Sequence, residues 1–155
     1  MVNSQPRVEK LATPLPMDAD ERTSDGKYIL IVDGAFNAAA GTKLGYFTID
    51  RLSATGGLGV FIPFLRDRNV VVVGENDDGA GRKEVKNIAL GLCGAAKSVR
   101  IVYPLEGAKD LRDWYSAPAG CTRLELDSAI AAAHVLTPLL LLTSSFVTLE
   151  GGLAR

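Results

Sequence analysis

The stretch VVVVGENDDGAGRK, residues 70–83, decides the fold predicted for this chain. Its four consecutive valines are typical of a strand buried on both faces, as in a parallel sheet. Three acidic residues, Glu75, Asp77 and Asp78, follow that strand, and glycines then allow a sharp turn into the next helix. Open α/β sheets place their sites at the carboxyl ends of strands, so the acids mark a candidate site. An ordinary solvated turn, which also uses Asn, Asp and Gly, is the alternative.

Two more apolar runs predict further strands of the same sheet. YILIV at residues 28–32 precedes Asp33, and SVRIVY at residues 98–103 follows a segment whose apolar residues recur at helical spacing. We also expect a helix over AFNAAAGTKL, a short strand over residues 46–49 and a last helix over residues 124–134, whereas residues 60–65 fit helix or strand. The alternation predicts an α/β fold, Rossmann-like, with a mostly parallel sheet flanked by helices.

The composition narrows the function classes. A chain of 155 residues is long enough for one domain with a real core. Its 17 basic and 18 acidic residues give a net charge of −1, so any surface for nucleic acid must be local, and no membrane partner is expected. Cys93, Cys121 and the single His134 supply no zinc set. The beginning, MVNSQPRVEK, lacks an apolar signal core, which favours a cytoplasmic location.

The ends of the chain differ from its middle. Residues 1–26 are polar and rich in proline, which predicts a flexible N-terminal arm before a domain over residues 27–134; a linker and the remnant of another domain are the alternatives. Residues 135–155 form an apolar tail of unknown role. Its apolar run is shorter than the roughly 20 residues of a membrane helix, so we do not predict an anchor. A buried strand, a helix covering the sheet and a partner-binding segment all stay open.

Acidic residues follow three of the predicted strands. Asp33 follows the first, Glu75 and Asp77 follow the central one, and Asp110 follows the third. Because parallel strands bring their carboxyl ends to one edge, these side chains should lie close together. Clustered carboxylates repel one another unless protons or a cation hold them. Mg²⁺, or Mn²⁺, is the natural candidate because it takes oxygen ligands.

Four short motifs occur in order along this pattern. IVDGAFNAAA contains Asp33, VVVVGEND contains Glu75 and Asp77, Gly81-Arg82 opens a helix, and GAKDLRDWY covers residues 107–115. They resemble the motifs of Toprim domains, the metal-binding nucleotidyl-transfer modules of primases, topoisomerases and some nucleases. The specific likeness is to the Toprim domains of phage- and plasmid-type primases and primase–helicases.

The resemblance covers about residues 27–115 and implies a function. It implies Mg²⁺- or Mn²⁺-dependent nucleotidyl or phosphoryl transfer on DNA or RNA, in the replication of a phage or mobile element, with a primase or helicase as partner. The metal ligands it implies, of which the first three are catalytic, are Asp33, Glu75, Asp77 and Asp110. The candidate phosphate contacts are Arg82 and Lys83, at the start of a helix whose amides favour anions, together with Lys109 and Arg112; an ordinary exposed surface charge is the alternative for each of them.

The chain departs from the family pattern at two of these acids. Asp33 stands where the family has the longer Glu, and Glu75 stands where it has the shorter Asp. Since an octahedral Mg²⁺ site tolerates little misplacement, a second hypothesis is a catalytically impaired module that binds nucleic acid or a replication protein. A small-molecule nucleotide-binding domain is a third hypothesis, but no GxGxxG follows a leading strand. If repulsion dominates the cluster, Asp77→Ala should hold or raise stability.

Overall fold

Strands and helices alternate along the described part of the chain. The computed structural model describes residues 28–51, 58–77 and 79–137. The elements are β1 (Ile29–Asp33), α1 (Ala35–Lys43), β2 (Phe47–Arg51), α2 (Leu58–Leu65), β3 (Asn69–Val73), α3 (Ala80–Leu92), β4 (Ser98–Val102), α4 (Leu111–Ser116) and α5 (Arg123–Ala132). The predicted arm over residues 1–26, most of the tail over residues 135–155 and Asp78 lie outside these ranges, so the domain boundaries stay predictions.

The described strands form one parallel sheet in the order β2-β1-β3-β4. Ile31 at the centre of β1 aligns with Ile49 of β2 on one side and with Val72 of β3 on the other. The apolar residues of β1 and β3 are buried on both faces, as expected for central strands of a parallel sheet. The predicted α/β fold with a parallel sheet and flanking helices is confirmed.

Helices cover both faces of the sheet. On one face α1, α4 and α5 bury Leu30, Val71, Trp114, Leu126 and Ile130 in one core cluster. On the other face α2 and α3 form a second cluster with the alternate strand residues, including Ile31, Val72, Leu65, Ile88 and Leu92. Each fully buried side chain of this size contributes about 1.5–3 kcal/mol of hydrophobic stabilisation. No helix in the described ranges combines the length and apolarity that crossing a membrane requires.

Three elements differ from their predicted bounds by two residues or more at one end. β2 continues two residues beyond Ile49, because Asp50 and Arg51 pair in register with the end of β1. Residues 58–65, of which residues 60–65 were left unassigned, form helix α2. The last helix begins at Arg123 and ends at Ala132, because a capping box between Thr122 and Glu125 fixes its start. Polar residues at a strand end carry no apolar periodicity, so the sequence pattern missed the end of β2.

A glycine just beyond β3 allows close packing with β4. Gly74 is buried, its amide donates to the Val102 carbonyl at 2.9 Å, and a Cβ added there would lie 2.7 Å from Cδ1 of Tyr103. We predict that Gly74→Ala lowers the free energy of unfolding by about 1–3 kcal/mol through overpacking. Urea denaturation measures this.

The matched control is Gly94→Ala. A Cβ at this exposed position meets no atom within 4 Å, so the change should be neutral or slightly stabilising. The double variant Gly74→Ala/Tyr103→Ala should be less destabilised than the sum of the two single variants, since the two positions are in contact. Equal effects of the two single glycine substitutions would contradict this explanation of the packing.

Candidate functional site

A cleft opens where β1, β2 and β3 end, beside the start of α3. It has a volume of about 220 Å³ and is lined by Asp33, Arg51, Val73, Glu75, Asp77, Ala80, Gly81, Glu84 and Val85. The structure therefore brings the carboxylates of Asp33, Glu75 and Asp77 to one edge of the sheet. The catalytic and metal-binding roles proposed for them stay predictions.

Arg51 is the basic side chain among the residues that line this cleft. It is the last residue of β2 and is paired in register with Asp33 of β1. Its Nη2 donates to Oδ2 of Asp33 at 3.0 Å, and its Nη1 donates to Oε1 of Glu84 on α3. The Arg51 side chain is 8% exposed, against 47% for Asp33 and 26% for Glu84. Since a buried charge needs paired partners, Arg51 and the two carboxylates form one electrostatic unit.

Asp77 is held by the backbone at the start of α3. Its Oδ2 accepts a hydrogen bond from the Gly81 amide at 3.0 Å, and its Oδ1 accepts a longer one from the Gly79 amide at 3.4 Å. Gly79, the residue that precedes the helix, has no side chain to cap it, so the Asp77 carboxylate satisfies amides that would otherwise lack partners. Such capping contributes about 1 kcal/mol to the stability of the fold. Its loss in Asp77→Ala opposes the stability that the variant gains from weaker repulsion among the carboxylates.

Among the described residues, no hydrogen bond or ion pair holds the Glu75 carboxylate. The other three carboxylates of the cleft each have such a partner. Burial raises the pKa of Glu75, and the charges of Asp110, Asp33 and Asp77 raise it further, while Lys109 opposes them. Its ionised form is therefore less favourable in the folded protein than in the unfolded chain. A proton or a cation at the Glu75 carboxylate is therefore favourable in the folded protein.

Asp110 lies beside the cleft rather than in its lining. It is buried, and its Oδ1 caps α4 by accepting a hydrogen bond from the Asp113 amide at 2.8 Å. Arg112 on the same helix contacts Asp113 Oδ1 at 3.0 Å and lies 3.8 Å from Asp110 Oδ2. The fourth predicted metal ligand thus stabilises a helix start, although it is near enough to raise the pKa of Glu75.

The predicted phosphate-binding residues are exposed around the same edge of the sheet. Arg82 and Lys83 lie in the first turn of α3, and the guanidinium of Arg82 lies 5.1 Å from the ring centroid of Tyr103. Arg82 also lines a neighbouring groove with Asn76 and Asp77. Lys109 is close enough to Glu75 to lower its pKa. Arg112 differs from the other three, because the carboxylate of Asp113 already engages it.

Two asparagines hold the loops around the cleft together. Asn76 donates through Nδ2 to the carbonyls of Pro104 at 2.9 Å and Ala108 at 2.8 Å, which ties the acid loop to the segment after β4. Asn37 is buried, donates to the Asp33 carbonyl at 2.7 Å and accepts from the Arg112 amide at 2.8 Å. An aspartate at position 37 could not donate to that carbonyl, which explains why the amide suits this position.

Sequence reasoning missed Arg51, Glu84 and the bridging role of Asn76. A signal for Arg51 existed in the sequence. If the strand predicted to end at Ile49 continued for two more residues, Arg51 would lie at the same edge of the sheet as the acids. Glu84 carried no such signal, because an acid on the second turn of an amphipathic helix usually faces solvent.

These residues do not fit a divalent cation in their present arrangement. Within the described ranges, no group of three or more His, Cys, Asp or Glu side chains is placed to hold a metal ion. Asp33 is paired with Arg51, and Asp77 accepts hydrogen bonds from backbone amides. Asp110 caps a helix. Groups of the protein itself therefore already bind these carboxylates. Among the cleft acids that the structure describes, Glu75 alone has no such partner.

The chain shares its fold with solved primase structures. No protein-family model matches it, and no curated protein matches its sequence significantly. A DNA primase domain from Pseudomonas aeruginosa matches with a TM-score of 0.57 and 20% identity, over 76% of this chain and 37% of that one. The Aquifex aeolicus primase, with its zinc-binding and RNA polymerase domains, matches with a TM-score of 0.60 and 22% identity, over 76% and 28%.

A third match extends over more of this chain. The E. coli primase catalytic core matches with a TM-score of 0.59 and 16% identity, over 83% of this chain and 40% of that one. The chain therefore spans two fifths or less of the length of these primase structures. At these identities the likeness concerns the fold: the parallel sheet and flanking helices of this chain are those of a segment of primase cores.

Proposed function

We propose that this chain is a primase-like domain that binds nucleic acid and acts in DNA replication, with its cleft impaired for catalysis. The observation that carries the proposal is a rim of exposed basic side chains, Arg82, Lys83 and Lys109, beside a cleft whose acids are mostly held by the protein's own donors. The fold shared with primase structures supports the replication context. The phage- or plasmid-type setting implied by the four motifs is part of the same proposal.

Basic side chains at this edge would contact the phosphate backbone. Phosphate contacts by Lys and Arg release condensed counterions, so they supply affinity that does not depend on sequence and that falls with salt. The first turn of α3 adds the partial positive charge of a helix start near Arg82 and Lys83, although the Asp77 carboxylate offsets part of it. Since the whole chain has a net charge of −1, this local grouping has to supply the attraction.

An exposed aromatic ring beside Arg112 suits a base of a single strand. Phe36, in the first turn of α1, is 74% exposed, and the guanidinium of Arg112 lies 6.0 Å from its ring centroid. Stacking of a base on such a ring is worth about 1–3 kcal/mol and tolerates any sequence. The ring of Trp114 is instead buried in the core, where it packs α4 against the sheet.

We predict that Arg82→Ala/Lys109→Ala weakens binding of a single-stranded oligonucleotide and makes it less dependent on salt. The slope of log affinity against log salt should fall by about 0.7 for each phosphate that the variant no longer neutralises. Fluorescence anisotropy in the presence of a chelator measures this without metal chemistry. The matched control is Lys97→Ala, since Lys97 is exposed at the amino end of β4, opposite the cleft. An unchanged slope in the double variant would contradict the proposal.

Metal-dependent nucleotidyl transfer, with Mg²⁺ or Mn²⁺, is the second candidate function. One observation favours it: the carboxylates of Asp33, Glu75 and Asp77 line the same cleft, and Glu75 lacks a partner there among the described residues. On this hypothesis Glu75 and Asp77 would hold the ion, and Asp33 would be the acid/base group. The ion would polarise the reacting phosphate. The ion pair between Asp33 and Arg51 stands against it.

Glu75→Gln tests the effect of this carboxylate on stability and, in a second assay, separates the two candidate functions. Because the pKa of Glu75 is raised in the folded protein, this residue contributes stability that is fully present below its unfolded pKa and is lost as pH rises through its folded pKa. We therefore predict that Glu75→Gln is more stable than the wild type at about pH 7.5 and equal to it at about pH 3.5, where both states are protonated. Urea denaturation at both pH values measures this, with the exposed Glu106→Gln as control.

The same variant reports on function. A binding domain should keep its affinity for the oligonucleotide, or gain some, because a negative charge leaves the site. A metal-dependent catalyst should instead lose primer synthesis or phosphoryl transfer. Transfer activity that requires Mg²⁺ in the wild type and disappears in Glu75→Gln would establish the second candidate and refute the first.

A further inference from the structure

We propose that the Arg51 guanidinium is the resident cation of the cleft. It occupies the position between Asp33 and Glu84 and prevents a divalent cation from binding at these carboxylates. Removal of Arg51 should therefore create a divalent-cation site. The inference goes beyond the proposed binding function, because nucleic acid can bind at the rim whether or not the cleft admits a metal ion.

The position of Arg51 follows from the strand register. β1 and β2 pair in parallel so that Arg51 lies opposite Asp33 at the carboxyl ends of both strands. From there the planar guanidinium reaches one carboxylate on β1 and another on α3, each through a different terminal nitrogen. A lysine would present a point charge in place of this fork. The geometry is thus specific to arginine.

The charges of the cleft favour a cation of this kind. Four carboxylates, those of Asp33, Glu75, Asp77 and Glu84, line the cleft with Arg51. Arg51 neutralises part of this charge from a buried position, with its side chain 8% exposed. A divalent cation that entered beside it would meet a like charge that is screened little by water. Binding of a metal ion at these carboxylates is therefore unfavourable while the Arg51 guanidinium lies beside them.

One departure from the family pattern, Asp33 in place of a glutamate, agrees with this assignment. A glutamate in place of Asp33 would place its carboxylate one methylene further from the backbone. The present distance of 3.0 Å between the Asp33 carboxylate and Arg51 would then change. The shorter side chain lets the carboxylate stay beside the strand, where the register places the guanidinium. Asp33 and Arg51 therefore behave as a matched pair.

The test is Mn²⁺ binding to the wild type and to Arg51→Met, read from the decrease in the electron paramagnetic resonance signal of free Mn²⁺. Methionine keeps much of the length and the apolar stem of the side chain and removes the charge. We expect Arg51→Met to bind Mn²⁺ at least about tenfold more tightly than the wild type. Mg²⁺ should compete, and Mn²⁺ should raise the melting temperature of the variant more than that of the wild type.

Arg123→Met is the matched control. Arg123 is a partly buried arginine paired with Asp127, and it contacts the carbonyls of Leu44 and Gly45 before β2, away from the cleft. Its removal should destabilise the protein without any gain in Mn²⁺ affinity. Arg51→Lys loses the fork but keeps a positive charge, so it should bind Mn²⁺ more weakly than Arg51→Met.

If Arg51→Met fails to fold with Asp33 and Glu84 unpaired, the double variant Arg51→Met/Glu84→Gln decides. It should bind Mn²⁺ more tightly than Glu84→Gln, which retains Arg51. Mn²⁺ affinity that is the same with and without Arg51, in either background, would overturn the proposal. This result is independent of the oligonucleotide affinity measured with a chelator, so the two proposals can fail separately.

Discussion

The ion pairs of Arg51 with Asp33 and Glu84 join three elements at the edge where the strands of the sheet end. Asp33 closes β1, Arg51 closes β2, and Glu84 lies on α3, which follows β3. Breaking such a pair on one side leaves a partly buried charge without compensation, which is more costly than the pair is stabilising. The cleft thus depends on one guanidinium for its electrostatic balance, and every role considered for its acids depends on where that guanidinium lies.

The parallel register is what makes this arrangement possible. Valine and isoleucine runs bury the central strands on both faces, so one-residue slips would move apolar side chains out of both core clusters. With the register fixed, the residue after each run is carried to the same edge. Two asparagines then lock the surrounding loops: Asn37 links β1 to α4, and Asn76 links the acid loop to the segment after β4.

The fold and the meeting of Asp33, Glu75 and Asp77 could be predicted from the sequence, because both depend on long apolar runs and on the common direction of parallel strands. The partner of each carboxylate could not. Asp77 caps α3 and Asp110 caps α4, and both contacts depend on local backbone geometry at a helix start. Asp33 pairs with Arg51 because the strand register continues two residues beyond the apolar part of β2. The same acids that resemble metal ligands in sequence therefore serve as helix caps and ion-pair partners in the structure.

The most direct measurement is a crystal structure of the wild-type protein grown with excess Mn²⁺ and measured at the manganese absorption edge. We predict that Arg51 lies between Asp33 and Glu84 and that no anomalous peak appears in the cleft. A peak bound by Asp33, Glu75 and Asp77, with the Arg51 guanidinium turned away from Asp33, would contradict the assignment of Arg51 as the resident cation.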